Sequence, residues 1–338
     1  MTTLVTGATG FVGSHVARQL VDRGDHVRVL ARRTSHLHAV EGLPVEVVFG
    51  DLRDRESLNP AVRGVQRVFH VAADYRLGSS EPSALYDSNV AGTKNLIDAC
   101  RRVELERFIY TSTVGTIAVP RSGALPTEDT EARLDEMTGA YKRSKFLAEQ
   151  EVRAAAASGL PAVIVNPTTP IGPGDWKPTP TGRMILDFLR GRMLAYVETG
   201  LNLVPVEDVA AGHLVAADRG RIGERYLLGG PNVSLKELWG VLARLTGRRA
   251  PSLRIPHALA LAVGCGSQLV ARARGTEPVV PLEAVRMARH VMFVDVSKAR
   301  RELGFESGAI EAALDRAVGW YMERGYVKRS TGRGRFVA

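Results

Sequence analysis

Cysteine is nearly missing from this chain: only Cys100 and Cys265 occur in 338 residues, and no CxxC spacing exists. That argues against a disulfide framework and a cysteine metal site, and it points to a reducing compartment. Histidine is present eight times but never in an HExxH or comparable set, so His36 and His38 read as surface or core residues and no metal is expected. A basic n-region with a cleavage pattern is missing after Met1, which makes a cytoplasmic location the expectation. Long apolar runs are missing too. Ala258 to Ala271 is the most apolar stretch, but it is too short for a membrane span and is interrupted by Gly264, Gly266 and Gln268, so it reads as a packed helix.

Acidic residues fall short of basic ones, 36 against 45, giving a formal charge of +9. The basic residues are spread along the chain without a recognised nucleic-acid motif, so nucleic acid is not an expected partner. The stretch Lys328 to Arg335, with its arginines and glycines, reads as the start of a flexible basic tail, 328–338, limited at most to peripheral contact with phosphate or lipid headgroups.

What is present is enough hydrophobic material, 45% of the chain, for one large α/β domain and a smaller lobe. Its organising stretch is Thr6-Gly7-Ala8-Thr9-Gly10-Phe11-Val12-Gly13, entered from the apolar pair Leu4-Val5. The spacing Gly7-x-x-Gly10-x-x-Gly13 allows a tight turn off a strand, close approach of backbone N–H groups to a pyrophosphate, and close helix–strand packing. Val12, Val16 and Leu20 continue an apolar helical stripe behind the glycines, and Gly24 is a plausible stop. The first N–H groups of that helix would face the phosphates.

His26 to Ala31 reads as a second strand, whose end in a dinucleotide fold inspects the adenosine ribose. An Asp or Glu is missing there; Arg32 and Arg33 follow instead, and two guanidinium groups suit a 2′-phosphate, so NADP is the expected cofactor with NAD possible. Ordinary surface charge is the alternative reading of both arginines. Further strands are expected at Val45–Phe49, leading to Asp51 and Leu52, and at Val68–Ala73, ending at Ala72 and Ala73. Strand ends line the crevice of a doubly wound sheet, so Asp51 and Leu52 are candidates for adenine, Ala72 and Ala73 for the ribose or nicotinamide side. Asp51 as a plain helix cap is the competing reading.

A helix from about Tyr86 to Arg102 carries Asn89, and a fifth strand at Arg107–Tyr110 runs into Thr111-Ser112-Thr113. Tyr141 and Lys145 then share one face of a helix by their i, i+4 spacing. An ammonium there would stabilise a tyrosinate and lower the phenol's pKa toward operating pH, while Thr113 bonds the same substrate oxygen. A sixth strand at Pro161–Val165 ends at Asn166 and Pro167. The Pro/Gly/Thr segment from Thr168 to Gly182, containing Trp176 and Lys177, reads as a substrate-facing loop, with a plain crossover as the alternative. The stretch Asn202 to Ala210, a helix through His213 and Ala217 and a further strand at Tyr226–Leu228 follow, and short helices dominate from Ser234 onward.

Taken in order, Thr6–Gly13, Asp51-Leu52, His70-Val-Ala-Ala73, Asn89-Val-Ala-Gly-Thr93, Tyr141-x-x-x-Lys145 and Val206-x-Asp208-Val-Ala210 resemble the extended short-chain dehydrogenase/reductase family over nearly the whole chain. Within it, His70-Val-Ala-Ala-Asp-Tyr-Arg76, Tyr141 to Glu149, Asn166 to Pro173, Lys177 to Gly182 and Thr199 to Val204 look most like bacterial hopanoid-associated sugar epimerases. Dihydroflavonol-4-reductase-like enzymes are the neighbouring group.

The resemblance implies a doubly wound parallel α/β sheet over 1–167, completed by parts of 193–230, with a substrate lobe from 168–192 and 231–327. It implies catalysis by Thr113, Tyr141 and Lys145, and cofactor contacts from Gly7, Thr9, Gly10, Phe11, Val12, Gly13, Arg32, Arg33, Asp51, Leu52, Ala72, Ala73, Asn89, Lys145, Asn166 and Pro167. Thr113 stands where relatives commonly have serine, and Ser112 is the alternative hydroxyl. The expected reaction is hydride exchange at a secondary alcohol or ketone of a small molecule: a sugar nucleotide, or a hopanoid-linked or polycyclic compound. The leading expectation is a hopanoid-associated (nucleotide-)sugar epimerase-like enzyme, the alternative is an NADPH-dependent ketoreductase of dihydroflavonol-4-reductase type, and a non-catalytic NADP(H) sensor or scaffold is a third reading. A homodimer is expected.

Overall fold

The computed structural model describes residues 1–75, 82–120, 123–276, 282–289 and 291–327. Arg76 of the fourth-strand motif and the basic tail 328–338 lie outside the described residues.

Strands β1 (Thr2–Thr6), β2 (His26–Ala31), β3 (Glu46–Phe49), β4 (Arg67–His70), β5 (Arg107–Thr111) and β6 (Ala162–Pro167) are followed by β7 (Thr169–Ile171), β8 (Ala195–Tyr196) and β9 (Gly200–Pro205). The last strands are β10 (Arg225–Leu228), β11 (Asn232–Ser234) and β12 (Leu253–Arg254). Seven of them form one parallel sheet in the order β10-β6-β5-β4-β1-β2-β3. All six residues of β6 are buried, as a parallel strand covered on both faces requires, and this explains its unbroken apolar run.

Side chains alternate between the two faces. Leu4, Phe108 and Tyr110 pack with Leu96, Ala148 and Val152 on one side, whereas Val5 and Ile109 pack with Val16, Leu20 and Val209 on the other. The chain leaves β1 toward β2 and β3, then returns to place β4 on the opposite side of β1. That reversal opens a crevice beyond the carboxyl ends of β1 and β4, where such folds bind ligands.

Three expected boundaries move. β4 stops at His70, short of Ala73, because Ala72 N turns to the Thr6 hydroxyl (3.3 Å) and Asn89 holds Asp74 away from the ladder. The helix around Asn89 is broken into Pro82–Tyr86, a π-turn at Asp87–Ala91, and Gly92–Cys100. The long segment 168–182 is partly ordered: β7 pairs with β9, and a helix runs Pro180–Leu189. Its start was legible, since Thr179 caps Gly182 N (3.1 Å) and proline occupies the first turn. Beyond Ser234, three of the helices reach 12, 18 and 14 residues. There a separate core gathers Phe188, Trp239, Leu242, Leu314 and Tyr321.

Candidate active site

Gly7 holds φ at +75°, and a Cβ on it would lie 2.6 Å from Ala72 N, so any side chain would push β1 and β4 apart at the crevice. On Gly13 a Cβ would lie 2.2 Å from Gly7 O, which fixes how closely the helix Phe11–Asp22 approaches the turn. Gly10 precedes that helix without a side-chain cap, leaving the first-turn N–H groups of Phe11, Val12 and Gly13 for an external anion. These glycines form a cradle that fits the pyrophosphate of a dinucleotide, with Thr9 half-exposed at its rim.

Behind the crevice a buried chain of polar groups ties the strands together. The Thr6 hydroxyl lies 2.7 Å from His70 Nδ1, His70 Nε2 lies 2.9 Å from the Thr93 hydroxyl, and that hydroxyl donates to Asn89 O (2.6 Å). Burial first, and then the charge of Lys145, push the His70 pKa down to about 3, so the imidazole is neutral. Asn89 accepts from Asp74 N (2.7 Å) and donates to Asp74 O (2.9 Å) and Ser144 Oγ (3.0 Å). Its side chain thus holds the segment after β4, including Ala72 and Ala73, against the helix Gly139–Ala157.

The end of β5 and the helix Gly139–Ala157 bring Thr113, Tyr141 and Lys145 into one region. Lys145 is buried, and its Nζ donates to Tyr110 OH and Thr111 O, both at 2.8 Å. Desolvation pulls its pKa down to about 7, against an opposing pull from Glu149. Tyr141 departs from expectation. Burial raises its phenol to about 12, partly offset by a hydrogen bond with Thr113, so it is a proton donor and not a pre-formed tyrosinate. The physical reason is that Lys145 spends its described hydrogen bonds on Tyr110 and Thr111, so desolvation dominates at Tyr141.

Packing gives the hydroxyls of Ser112 and Thr113 different partners. Ser112 is buried and donates to Glu149, whose Oε2 also accepts from Thr116 Oγ1 (2.8 Å) and Asn166 Nδ2 (3.1 Å). Asn166 Nδ2 further donates to Thr113 O (3.1 Å), and Arg225 donates to Glu149 Oε1 (3.2 Å). Thr113 faces Tyr141, with its backbone set by this network and its hydroxyl accepting from Gly115 N (3.2 Å) beside its hydrogen bond with Tyr141. Asn166 and Pro167 are both buried at the end of β6, where Asn166 Nδ2 bonds the backbone of Thr113.

At the ribose end, Arg32 and Arg33 are exposed, with Arg33 over the Phe49 ring at 5.4 Å. Asp51 is engaged by Arg53 through Nε (3.0 Å), Nη2 (2.7 Å) and backbone N (2.9 Å). These bonds hold its carboxyl below the usual range and occupy the lone carboxylate of this corner that sequence reading offered to adenine. Leu52 is buried against Gly92, and its carbonyl accepts from Asn95 Nδ2 (2.9 Å).

Sequence reading missed Arg53, Glu149, Arg225 and Tyr75. The Tyr75 hydroxyl donates to Lys177 O (3.1 Å), joining the segment after β4 to the loop 172–179. In that loop Asp175 is buried and accepts from Thr179 N, Thr179 Oγ1 (both 2.8 Å) and Tyr321 OH (2.9 Å), with its carboxyl pushed up to about 6 by burial.

A phosphate-fitting glycine turn on a parallel sheet, beside a buried lysine, a protonated tyrosine and a threonine hydroxyl, is arranged for hydride exchange at a carbonyl carbon. The family model described as NAD dependent epimerase/dehydratase matches residues 3–229. The chain belongs to this family, the extended short-chain dehydrogenases/reductases, and is an NAD(P)-dependent enzyme. A Synechocystis sp. protein provisionally named dihydroflavonol 4-reductase is 45% identical over 328 residues, spanning 96% of this chain and 95% of the relative. Sterol demethylase protein B of Methylococcus capsulatus is 38% identical over 330 residues, spanning 97% and 100%. Among solved structures, PA4631, described as a nucleoside-diphosphate-sugar epimerase from Pseudomonas aeruginosa, has a TM-score of 0.81 at 29% identity, covering 97% of this chain and 99% of that one.

Within the family frame the roles can be stated. A bound nicotinamide would supply the hydride chemistry at this site. In this arrangement Tyr141 would be placed to pass a proton to or from a substrate oxygen, Thr113 to orient that oxygen, and Lys145 to bring an ammonium beside them.

Proposed function

We propose that the chain is an NADP(H)-dependent ketoreductase acting on a bulky polycyclic ketone or alcohol. The observation that carries this is the ribose corner: Arg32 and Arg33 are exposed, no carboxylate follows β2, and Asp51 is held by Arg53. Guanidinium groups favour the 2′-phosphate of NADP, and a reductase needs a cofactor that exchanges freely at each turnover. The names of the two relatives refer to a flavonol and a sterol, both polycyclic, which supports that substrate class. We take 168–192 and 231–327 as the lobe that receives it.

Arg32→Asp tests the corner. The variant should lose affinity for NADP and gain it for NAD, since a carboxylate repels a 2′-phosphate and accepts from a 2′-hydroxyl. Equal wild-type affinity for the two cofactors, unchanged by the substitution, would sink the reading.

A second reading, sugar epimerisation, is supported by the likeness to PA4631 and by the motif resemblance through Asn166 to Gly182. An epimerase keeps its cofactor, returns hydride to the opposite face and shows no net redox change. Stoichiometric NADPH consumption with a reduced product would select the reductase. A C-epimer formed from a nucleotide sugar at constant NADPH absorbance would select the epimerase.

A further inference from the structure

A surface helix ordinarily turns its apolar stripe inward and its polar side chains to water. The helix His257–Arg274 does the reverse. Its packed side consists of small residues, Ala260, Gly264 and Ala271, with Ser267 and Gln268 half-buried beside them. Gly264 sits so close to the helix Leu282–Met287 that a Cβ there would be 3.4 Å from the Leu282 and Val285 side chains. The outward side carries Leu259, Val263, Leu269 and Val270, which are 52%, 49%, 66% and 50% exposed. Ala258, Ala262, Cys265 and Gly266 are exposed between them. Leu259, Val263, Gly266 and Val270 follow the i, i+4, i+7, i+11 spacing of a single stripe, so the exposed face is continuous.

The stripe extends past the helix. Leu253, 59% exposed, lies on β12, which pairs with β8 immediately after Leu194, itself 80% exposed. No charged residue occurs between Arg254 and Arg272. Along the sequence here the charge has one sign: residues 238–276 contain Arg244, Arg248, Arg249, Arg254, Arg272 and Arg274, and no Asp or Glu. Arg244 pairs with Glu311 and Arg254 with Glu198, both from elsewhere in the chain, while Arg272 and Arg274 are exposed in the last turn of the apolar helix and Arg249 is exposed in the segment that precedes it.

We propose that this helix docks the protein on an anionic lipid surface, lying in the plane of the interface. Leu259, Val263, Leu269 and Val270 enter the acyl boundary, and the flanking arginines meet headgroup phosphates. Among the described residues no helix is long and apolar enough to cross a membrane, which suits a helix that lies on the surface. Charge selects lipid over a second copy of this chain. Symmetric pairing through this face would set its arginines against their own equivalents, with no acidic residue in the stretch to neutralise them. The inference stands whichever of the two reactions the active site performs.

Cys265 is exposed on the docking face, whereas Cys100 is buried, so the full-length protein can be labelled at Cys265 with an environment-sensitive fluorophore. Flotation and emission would be recorded with phosphatidylglycerol/phosphatidylcholine vesicles and with pure phosphatidylcholine vesicles. The expected result is co-flotation and a blue shift with the anionic vesicles, both weakened by salt. Val263→Asp/Leu269→Asp, with the basic tail intact, should lower the partition coefficient roughly tenfold or more, as should Arg272→Glu/Arg274→Glu. Cofactor binding should not change in either variant. Failure to float with anionic vesicles would overturn the proposal, and so would flotation unaffected by the aspartate pair. Efficient Cys265–Cys265 cross-linking of the unlabelled protein without lipid would assign the face to a second copy instead.

Discussion

The hydroxyl of Ser112 is donated to the buried carboxylate of Glu149, while its neighbour Thr113 is left facing Tyr141. Two adjacent hydroxyls at the end of β5 thereby take different roles. Thr113→Val should lower turnover about 10²- to 10³-fold with little change in stability, because it removes a hydrogen-bonding group from the reacting oxygen. Ser112→Ala should cost about 1.5–3 kcal/mol of stability, the usual worth of a bond to a charged group, with turnover close to wild type. Steady-state rates and denaturant melts on the two variants would check this; the opposite pattern would give Ser112 the catalytic role.

Tyr141→Phe should retain the fold and cofactor binding but lose about 10² to 10⁴ in rate, since only the transferable proton is removed. Cofactor titration beside single-turnover kinetics would show it. Near-normal turnover would mean that another group protonates the substrate.

Glu149 and Arg225 form a buried ion pair, with side-chain exposures of 0% and 6%. Glu149→Gln alone should cost up to about 3 kcal/mol, because it removes the buried counter-charge of the Arg225 guanidinium and leaves it only the more exposed Glu131, 3.5 Å away. Arg225→Met should cost a similar amount for the converse reason. The double variant should cost clearly less than the sum, and additive losses in a denaturation cycle would show that the two side chains are not coupled.

His70 makes stability depend on acid. Its folded pKa is about 3 and its ordinary value 6.5, so below 6.5 the unfolded chain binds a proton that the folded chain refuses. The stability held by the neutral ring is complete above 6.5 and is lost as pH falls toward 3, by about 1.4 kcal/mol per pH unit. The buried His213, with its pKa pushed down to about 4, adds a second contribution of the same sign. His70→Gln should flatten unfolding free energy against pH in this window, and an unchanged slope would contradict the assignment.

Local chemistry made much of this protein legible. Gly7, Gly10 and Gly13 are demanded by backbone geometry within one turn, and apolar runs such as Ala162–Val165 reflect burial on both faces of a strand, so both are written in consecutive residues. Tyr141 and Lys145 share a face because a helix repeats every 3.6 residues. What only the tertiary structure decided depends on residues far apart in the chain. Glu149 meets Ser112 and Arg225 across 37 and 76 positions, and this contact engages the Ser112 hydroxyl while that of Thr113 faces Tyr141. The Tyr141 phenol rises because desolvation acts on it while Lys145 bonds elsewhere, a balance of burial and direction that i, i+4 spacing does not contain. The outward turn of the helix His257–Arg274 was equally hidden, since its periodicity marks an apolar face but only packing on the helix Leu282–Met287 decides which face meets water.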